Sequence, residues 1–289
     1  MASTLIKNIA VLACSYNRLH KTTAFLESLT RQYIPDGYAL SVYLLDDQST
    51  DGTADYVKAN FPGVHLIEGS GSLFWAGGMH LLWKTVIAES EHYDFYLLMN
   101  DDVKLYNNAI ANLLDSYQLS KNPENIIVGS VQHPETLEHT YGGRKLVSKY
   151  SVIANPVVPG VNELKECEMG NANIMLVDKA TVDKIGILSD QYIHSFADYD
   201  YTLNAVRQGI KVWVAPGYYG SCENDHGHPW LTGATLRQRI KFLYSPKGLE
   251  YKSFLRYSWK NFPINMPAEI FKMWLKTLLP IVYDKFKKP

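Results

Sequence analysis

Apolar residues gather in short runs that stop abruptly at polar ones, and these runs alternate with stretches of helical spacing. Ile9 to Cys14 is the first run, broken by Ser15-Tyr16-Asn17-Arg18, after which Phe25, Leu26 and Leu29 recur on one helical face. Leu40 to Leu45 predicts a second strand ending in Asp46-Asp47, and Ser49-Thr50-Asp51 offers caps for a helix carrying Ala54, Tyr56 and Val57. Val64 to Ile67 is a third strand, followed by the loop Gly69-Ser70-Gly71-Ser72 and a helix from Gly77 to Ala88. A fourth apolar run, Tyr96-Leu97-Leu98-Met99, ends in Asn100-Asp101-Asp102. Such strand–helix alternation predicts a mostly parallel sheet with right-handed crossovers. The second half is less regular. Thr140 to Val158 reads as short strands joined by turns such as Gly142-Gly143, Ala172 to Val177 as a buried strand, and Tyr199 to Gln208 as a helix ended by Gly209.

The polar ends of these runs carry the candidate chemistry. In open α/β sheets, ligands bind outside the carboxyl ends of the strands. Adjacent carboxylates there repel one another unless a cation lies between them, and Mg²⁺ or Mn²⁺ takes oxygen ligands and brings substrate phosphates with it. Asp101-Asp102 therefore points to a metal–diphosphate site; the competing reading is a polar strand end that merely opens a turn. No Gly-x-Gly-x-x-Gly follows the first strand and no phosphate-cradling Gly-x-x-x-x-Gly-Lys-Ser/Thr occurs, which argues against a dinucleotide dehydrogenase and a P-loop enzyme. Ser15, Tyr16, Asn17 and Arg18 instead offer groups suited to a base stacked on an aromatic ring and a diphosphate paired with arginine.

Composition sharpens the class. With 46% apolar residues in 289, the chain can bury one large α/β domain, or a domain and an appendage. A formal charge of −1 gives no global attraction to nucleic acid. Twenty tyrosines and six tryptophans suit sugar, base or membrane-interface contacts. Cys14, Cys167 and Cys222 lack zinc-finger spacing and fit a reducing compartment, and Met1 to Lys7 does not read as a signal peptide, so a cytoplasmic location is expected.

Five phrases, in order, resemble an inverting family 2 glycosyltransferase with the GT-A fold, a Rossmann-like, mostly parallel nucleotide-diphospho-sugar transferase architecture. They are Ala13 to Arg18, Leu45 to Thr53, Leu98 to Asp102, Gly170-Asn171-Ala172-Asn173, and Phe196-Ala197-Asp198-Tyr199-Asp200-Tyr201. Phe74-Trp75-Ala76-Gly77-Gly78-Met79 looks like the variant of rhamnosyltransferase-like members. The resemblance implies that Asp46 or Asp47 accepts the imide N–H of uracil or thymine, and hence a UDP- or TDP-sugar donor. Asn100-Asp101-Asp102 stands at the family's Asp-x-Asp position with Asn in its first place, which leaves Asp102 as the expected Mg²⁺ or Mn²⁺ ligand and Asp101 as its neighbour. Asp198 matches the catalytic base, with Ala197 where an acid is usual; Asp200 is a secondary candidate, better read as a helix cap. His226 matches a late histidine that reaches the metal or diphosphate, with His228 as the alternative; solvated loop histidines are the plainer reading. Gly77 and Gly78 would bring backbone N–H groups to the diphosphate, and Trp75 would border the sugar, unless it is simply a core aromatic.

The catalytic domain is expected over 1–232, its nucleotide-sugar half at about 1–105 and its acceptor half at 106–232. A C-terminal helical extension over 233–289 carries Ile270, Phe271, Trp274, Leu275, Leu278 and Leu279 among lysines, with Pro280 as a break. Such a helix suits a membrane interface, as for a lipid-linked saccharide acceptor, or a face packed on the catalytic domain or on a second subunit of a homo-oligomer. Three other classes fit the sequence less well. A sugar-1-phosphate nucleotidyltransferase would want a Gly-rich, lysine-bearing loop after the first strand. A silent carbohydrate-binding protein would not need Asp102 and Asp198. A zinc hydrolase, suggested by Asp225-His226-Gly227-His228, lacks an evident third ligand.

Overall fold

A computed structural model describes residues 6–89, 92–223, 233–279 and 282. The first half alternates β1 (Lys7–Ser15), α1 (Leu19–Thr30), β2 (Tyr38–Asp46), α2 (Thr53–Asn60), β3 (Val64–Glu68), α3 (Phe74–Ala88) and β4 (Phe95–Asn100). These four strands pair in parallel in the order β3-β2-β1-β4. Strands covered on both faces read as continuous apolar runs, and Ile9 to Ala13 of β1 are fully buried. Alternate side chains go to opposite faces. Ala10 and Leu12 enter one core with Met79, Leu82 and Trp83 of α3, whereas Ile9, Val11 and Ala13 enter the other with Phe25 and Leu26 of α1.

The second half turns the sheet mixed. It runs through β5 (Lys104–Leu105), α4 (Ala109–Leu119), β6 (Asn125–Gln132), β7 (His139–Tyr141), β8 (Gly143–Leu146), β9 (Ala154–Pro156), β10 (Lys165–Glu166), β11 (Met169–Gly170), β12 (Ile174–Asp178), α5 (Lys179–Ile185), α6 (Ala197–Arg207) and β13 (Lys211–Ser221). β12 inserts antiparallel between β4 and β6, and β13 lies parallel to β6 on the far side. β8, β9 and β11 make a separate small sheet. Antiparallel insertion of β12 brings the segment preceding it, Gly170 to Asn173, back to the carboxyl end of β4, where the Asn100 N–H donates to the Asn173 carbonyl at 3.2 Å.

Three helices follow: α7 (Leu236–Tyr244), α8 (Tyr251–Asn261) and α9 (Met266–Leu278). α7 opens on a capping box in which the Thr235 hydroxyl accepts the Gln238 N–H and the Gln238 side chain accepts the Thr235 N–H. Tyr257 and Phe262 are buried in the same core as α3 and α6, so the segment packs on the central sheet assembly. Phe271, Trp274 and Leu278 of α9 are exposed. Among the described residues no helix is long and apolar enough to cross a membrane.

Candidate active site

The carboxyl ends of β1, β2 and β4 lie in register, Ser15 beside Asp46 and Cys14 beside Asn100. Asp46 is buried; its Oδ2 accepts the Ser49 N–H at 2.9 Å, while its Oδ1 accepts no hydrogen bond from any of the described residues. The side-chain oxygen of Asn100 is a second buried acceptor without a partner among the described residues. Leaving such an atom unsatisfied costs about 1–3 kcal/mol, so two of them flanking one strand end mark a place built for donors.

Just beyond β4 the two acids diverge in environment. Asp101 is buried, and its Oδ2 accepts the Thr22 hydroxyl of α1 at 3.0 Å, while Thr22 is itself paired with Ser15 at 2.7 Å. Burial pushes the Asp101 carboxyl up to about 6; the Arg18 guanidinium opposes this and Asp102 adds to it. Arg18 spans the pair, donating to Asp101 at 3.3 Å and to Asp102 at 2.9 Å. Asp102 is the more open acid, with the Cys222 thiol 3.4 Å from its Oδ1. A guanidinium bridging both acids demonstrates the demand for positive charge at this spot. The donor set, hard carboxylate oxygens at a strand end beside orphan acceptors, fits Mg²⁺ or Mn²⁺, which bind through one or two carboxylates and fill the remaining positions with phosphate oxygens and water. Among the described residues no three His, Cys, Asp or Glu side chains cluster as a self-sufficient metal cage.

Asp47 has a different task from Asp46. Its carboxylate is buried and accepts the N–H groups of Gly71 (2.7 Å), Leu73 (2.9 Å) and Phe74 (3.2 Å), which wraps the 69–73 loop around it and starts α3 at Phe74, earlier than the apolar spacing predicts. Gly69 makes that wrap possible, because a Cβ there would sit 2.9 Å from the Asp47 Cα. With both oxygens committed, Asp47 holds the loop, and Asp46 is left as the acid of the pair that carries an open acceptor.

The structure corrects the expectation for Gly77 and Gly78. The Ala76 and Gly77 N–H groups both donate to the Ile193 carbonyl, at 3.0 and 3.3 Å, so neither faces a diphosphate. Gly78 lies inside α3 where a Cβ would stand 3.0 Å from the Cys14 sulfur, so its part is close helix–sheet packing. Trp75 is half-buried and packs against the core, while its indole N–H is buried without an acceptor among the described residues.

Asp198 stands in the first turn of α6 and is half-buried. Its Oδ2 accepts the Ala172 N–H at 3.2 Å and its Oδ1 the Tyr199 N–H at 2.9 Å. Burial pushes its carboxyl up to about 6, against the pull of those N–H donors. Asp200 is not available for chemistry: it is buried and bound by Lys260 Nζ at 2.7 Å and Asn261 Nδ2 at 2.9 Å, both of α8, and so it ties α6 to the C-terminal helices instead of capping its own. The 170–173 segment, conspicuous in the sequence but without an assigned role there, links the two halves of the site through Asn173 to Asn100 and Ala172 to Asp198.

Tyr16 is exposed, with Lys247 Nζ 5.8 Å from its ring centre. Asn17 is left-handed (φ 52) and ties the two strand-end loops together: its N–H donates to Ser49 Oγ at 2.8 Å and its Oδ1 accepts the Thr50 N–H at 2.7 Å. Asp51 serves both neighbouring helices, accepting the Leu19 N–H at 2.9 Å and the Thr53 N–H at 3.1 Å. His226 and His228 lie outside the described residues. Thr22 was not singled out by sequence; its only signal is that it falls one helical turn after Arg18, on the face turned toward the acids.

The profile of the family described as Glycosyl transferase family 2 matches residues 10–175. No curated protein sequence matches the chain. Several solved structures share its fold at low identity. A mannosyltransferase, PcManGT from Pyrobaculum calidifontis, in complex with GDP-Man and Mn²⁺, has a TM-score of 0.55 and 13% identity, covering 82% of this chain and 62% of its own. TarS residues 1–349 from S. aureus gives 0.53 and 16% identity, covering 94% and 79%. GalNAc-T7 with UDP, GalNAc and Mn²⁺ gives 0.57 and 14% identity, covering 73% and 43%. The chain thus spans less than two thirds of the mannosyltransferase and less than half of GalNAc-T7.

Proposed function

The chain belongs to glycosyl transferase family 2, and we propose that it is a metal-dependent, inverting member that moves a hexose from UDP or TDP to a saccharide hydroxyl. One observation carries the reading. The Ala172–Asn173 backbone is bonded on one side to Asp198 and on the other to Asn100, which joins a proton acceptor to the acid-rich strand ends within one rigid segment. The donor's base would meet Asp46, whose open Oδ1 suits the imide N–H of uracil or thymine, and its ribose would meet Asn100. Arg18 would share its guanidinium with the diphosphate. Asp102, with Asp101 behind it, would hold the divalent ion, which when bound offsets charge growing on the departing diphosphate. Mn²⁺ accompanies nucleotides in two of the proteins of similar fold.

Inversion needs one displacement. The acceptor hydroxyl oxygen bonds to the anomeric carbon from the face opposite the diphosphate, the bond from that carbon to the diphosphate oxygen breaks, and Asp198 takes the hydroxyl proton. A carboxylate raised to about 6 is a better base than an ordinary aspartate and is still ionised at neutral pH. Rhamnose as the sugar, and surface-polysaccharide assembly as the setting, extend the reading on the strength of the Phe74 to Met79 phrase.

Calorimetric titration with UDP, TDP, GDP and ADP, with Mn²⁺ and then with EDTA, tests the donor side. GDP belongs in the panel because guanine also offers N–H donors. Metal-dependent binding of UDP or TDP that is lost in Asp102→Ala supports the reading. Asp198→Asn should bind the same nucleotide and release none of it from the sugar donor. No nucleotide binding in the presence of Mn²⁺ would overturn the donor site.

A further inference from the structure

Glu250 belongs to none of the groups above, yet it is one of the most heavily bonded carboxylates in the chain. It precedes α8, is buried, and has a left-handed backbone (φ 48). Its Oε1 accepts the Ile193 N–H at 3.2 Å, and its Oε2 accepts the His194 N–H at 3.2 Å and the Ser195 N–H at 2.7 Å. The Ser253 hydroxyl also donates to Oε1. Three successive N–H groups converging on one anion form a nest, here filled by a side chain of the same protein.

What the nest holds is the approach to Asp198. The next residue, Phe196, is itself left-handed (φ 73), an arrangement that persists only where the surroundings over-determine it. They do so here. Its ring stacks on Tyr257 at 5.1 Å and meets Phe254 at 5.8 Å, both on α8. On the opposite side the Ile193 carbonyl is fixed by the Ala76 and Gly77 N–H groups of α3. Beyond Phe196 the chain enters α6, where Asp200 is gripped by Lys260 and Asn261. Asp198 thus sits between two attachments to the C-terminal helices.

We propose that Glu250 is a positioning residue: it locks the 193–196 loop and through it sets the Asp198 carboxylate for proton transfer, which makes the C-terminal helices a brace for the base. The inference rests on the reading of Asp198 given above. Carboxylate chemistry explains the residue type. Glutamine offers one oxygen and turns an N–H₂ group toward an N–H donor, whereas two oxygens satisfy three donors at once.

The full chain and its E250Q and S253A variants would be compared by amide hydrogen exchange across 190–200, by Mn²⁺-dependent binding of UDP and TDP, and by nucleotide release from UDP-glucose and TDP-rhamnose. In E250Q, exchange at 193–196 should speed by about tenfold or more. The kcat should fall on the order of 100-fold, while nucleotide Kd and donor KM stay within about twofold, because only the base is misplaced. An unchanged kcat with a loosened loop, or nucleotide affinity falling in step with kcat, would overturn the proposal. Should E250Q fail to fold, S253A, which removes one donor to the carboxylate, must show the same split at smaller size, and an unaffected kcat there overturns it. A wild-type chain that releases no nucleotide sinks the reading of Asp198 itself, an outcome distinct from wild-type turnover with an indifferent E250Q.

Discussion

Replacing Asp198 by Asn should make the protein progressively more stable than wild type as pH rises, and the size follows from where the carboxyl sits. Burial raises it from an ordinary 3.8 to about 6 in the folded chain. Between those values the native state holds a proton that the unfolded chain has already released, so wild-type stability falls as pH rises through this window. Fully developed, the cost of carrying the ionised acid is about 3 kcal/mol. About half has accrued by pH 5 and nearly all by pH 8, which leaves about 1.4 kcal/mol to appear between them. Asn carries no such charge. Its loss of an acceptor toward Ala172 or Tyr199 is a constant offset that does not depend on pH. Asp101, raised to about the same value by its own burial, is present in both proteins and cancels. At about 2 °C per kcal/mol for a chain of this size, the Tm difference between D198N and wild type should widen in favour of D198N by about 3 °C from pH 5 to pH 8. Thermal melts in matched buffers measure it. A difference that is flat, or that narrows with pH, would show that Asp198 is not held in a desolvating site, and the argument for it as a tuned base would go with it.

The same physics yields three further expectations. Arg18→Met removes the strongest of the groups that lower the Asp101 carboxyl and leaves the Ser15 and Thr22 hydroxyls in place, so its titration midpoint, followed by carbon NMR of labelled aspartate, should move above about 6; a downward move refutes the bridging role. Asp47→Asn leaves N–H groups of the 71–74 turn without a full set of acceptors and should cost about 2 kcal/mol in denaturant unfolding, whereas a change below about 0.5 kcal/mol would mean that the loop is held by other contacts. Lys260→Met strips a cation from buried Asp200 but keeps Asn261; because Lys260 is itself half-exposed, the loss should be about 1–2 kcal/mol, and a neutral result would deny that this pair fastens α8 to α6.

The alternation of apolar runs with helical spacing determined the parallel β3-β2-β1-β4 half, because strands buried on both faces leave an unmistakable local signature, and it placed the Ser15–Arg18, Asp46–Asp47 and Asn100–Asp102 phrases at the carboxyl edge. Asp198 was singled out only through the resemblance carried by the Phe196 to Tyr201 phrase. Sequence alone could not apportion work within a phrase. Asp46 and Asp47 are adjacent and chemically identical, and only the wrapping of the 69–73 loop decides that Asp47 spends both oxygens on backbone N–H groups while Asp46 keeps one open. Gly77 and Gly78 were legible as backbone that something approaches closely, but what approaches is Ile193 and Cys14. The helical pattern beyond 233 was equally legible, whereas its purpose was not. Amphipathic spacing reports that a helix has an apolar face and carries no information about what that face meets. Contacts across more than fifty residues of chain, Glu250 to the 193–195 N–H groups and Lys260 to Asp200, fasten that segment to α6 and the loop before it. Such contacts depend on where the chain returns in space, and tertiary packing alone sets that.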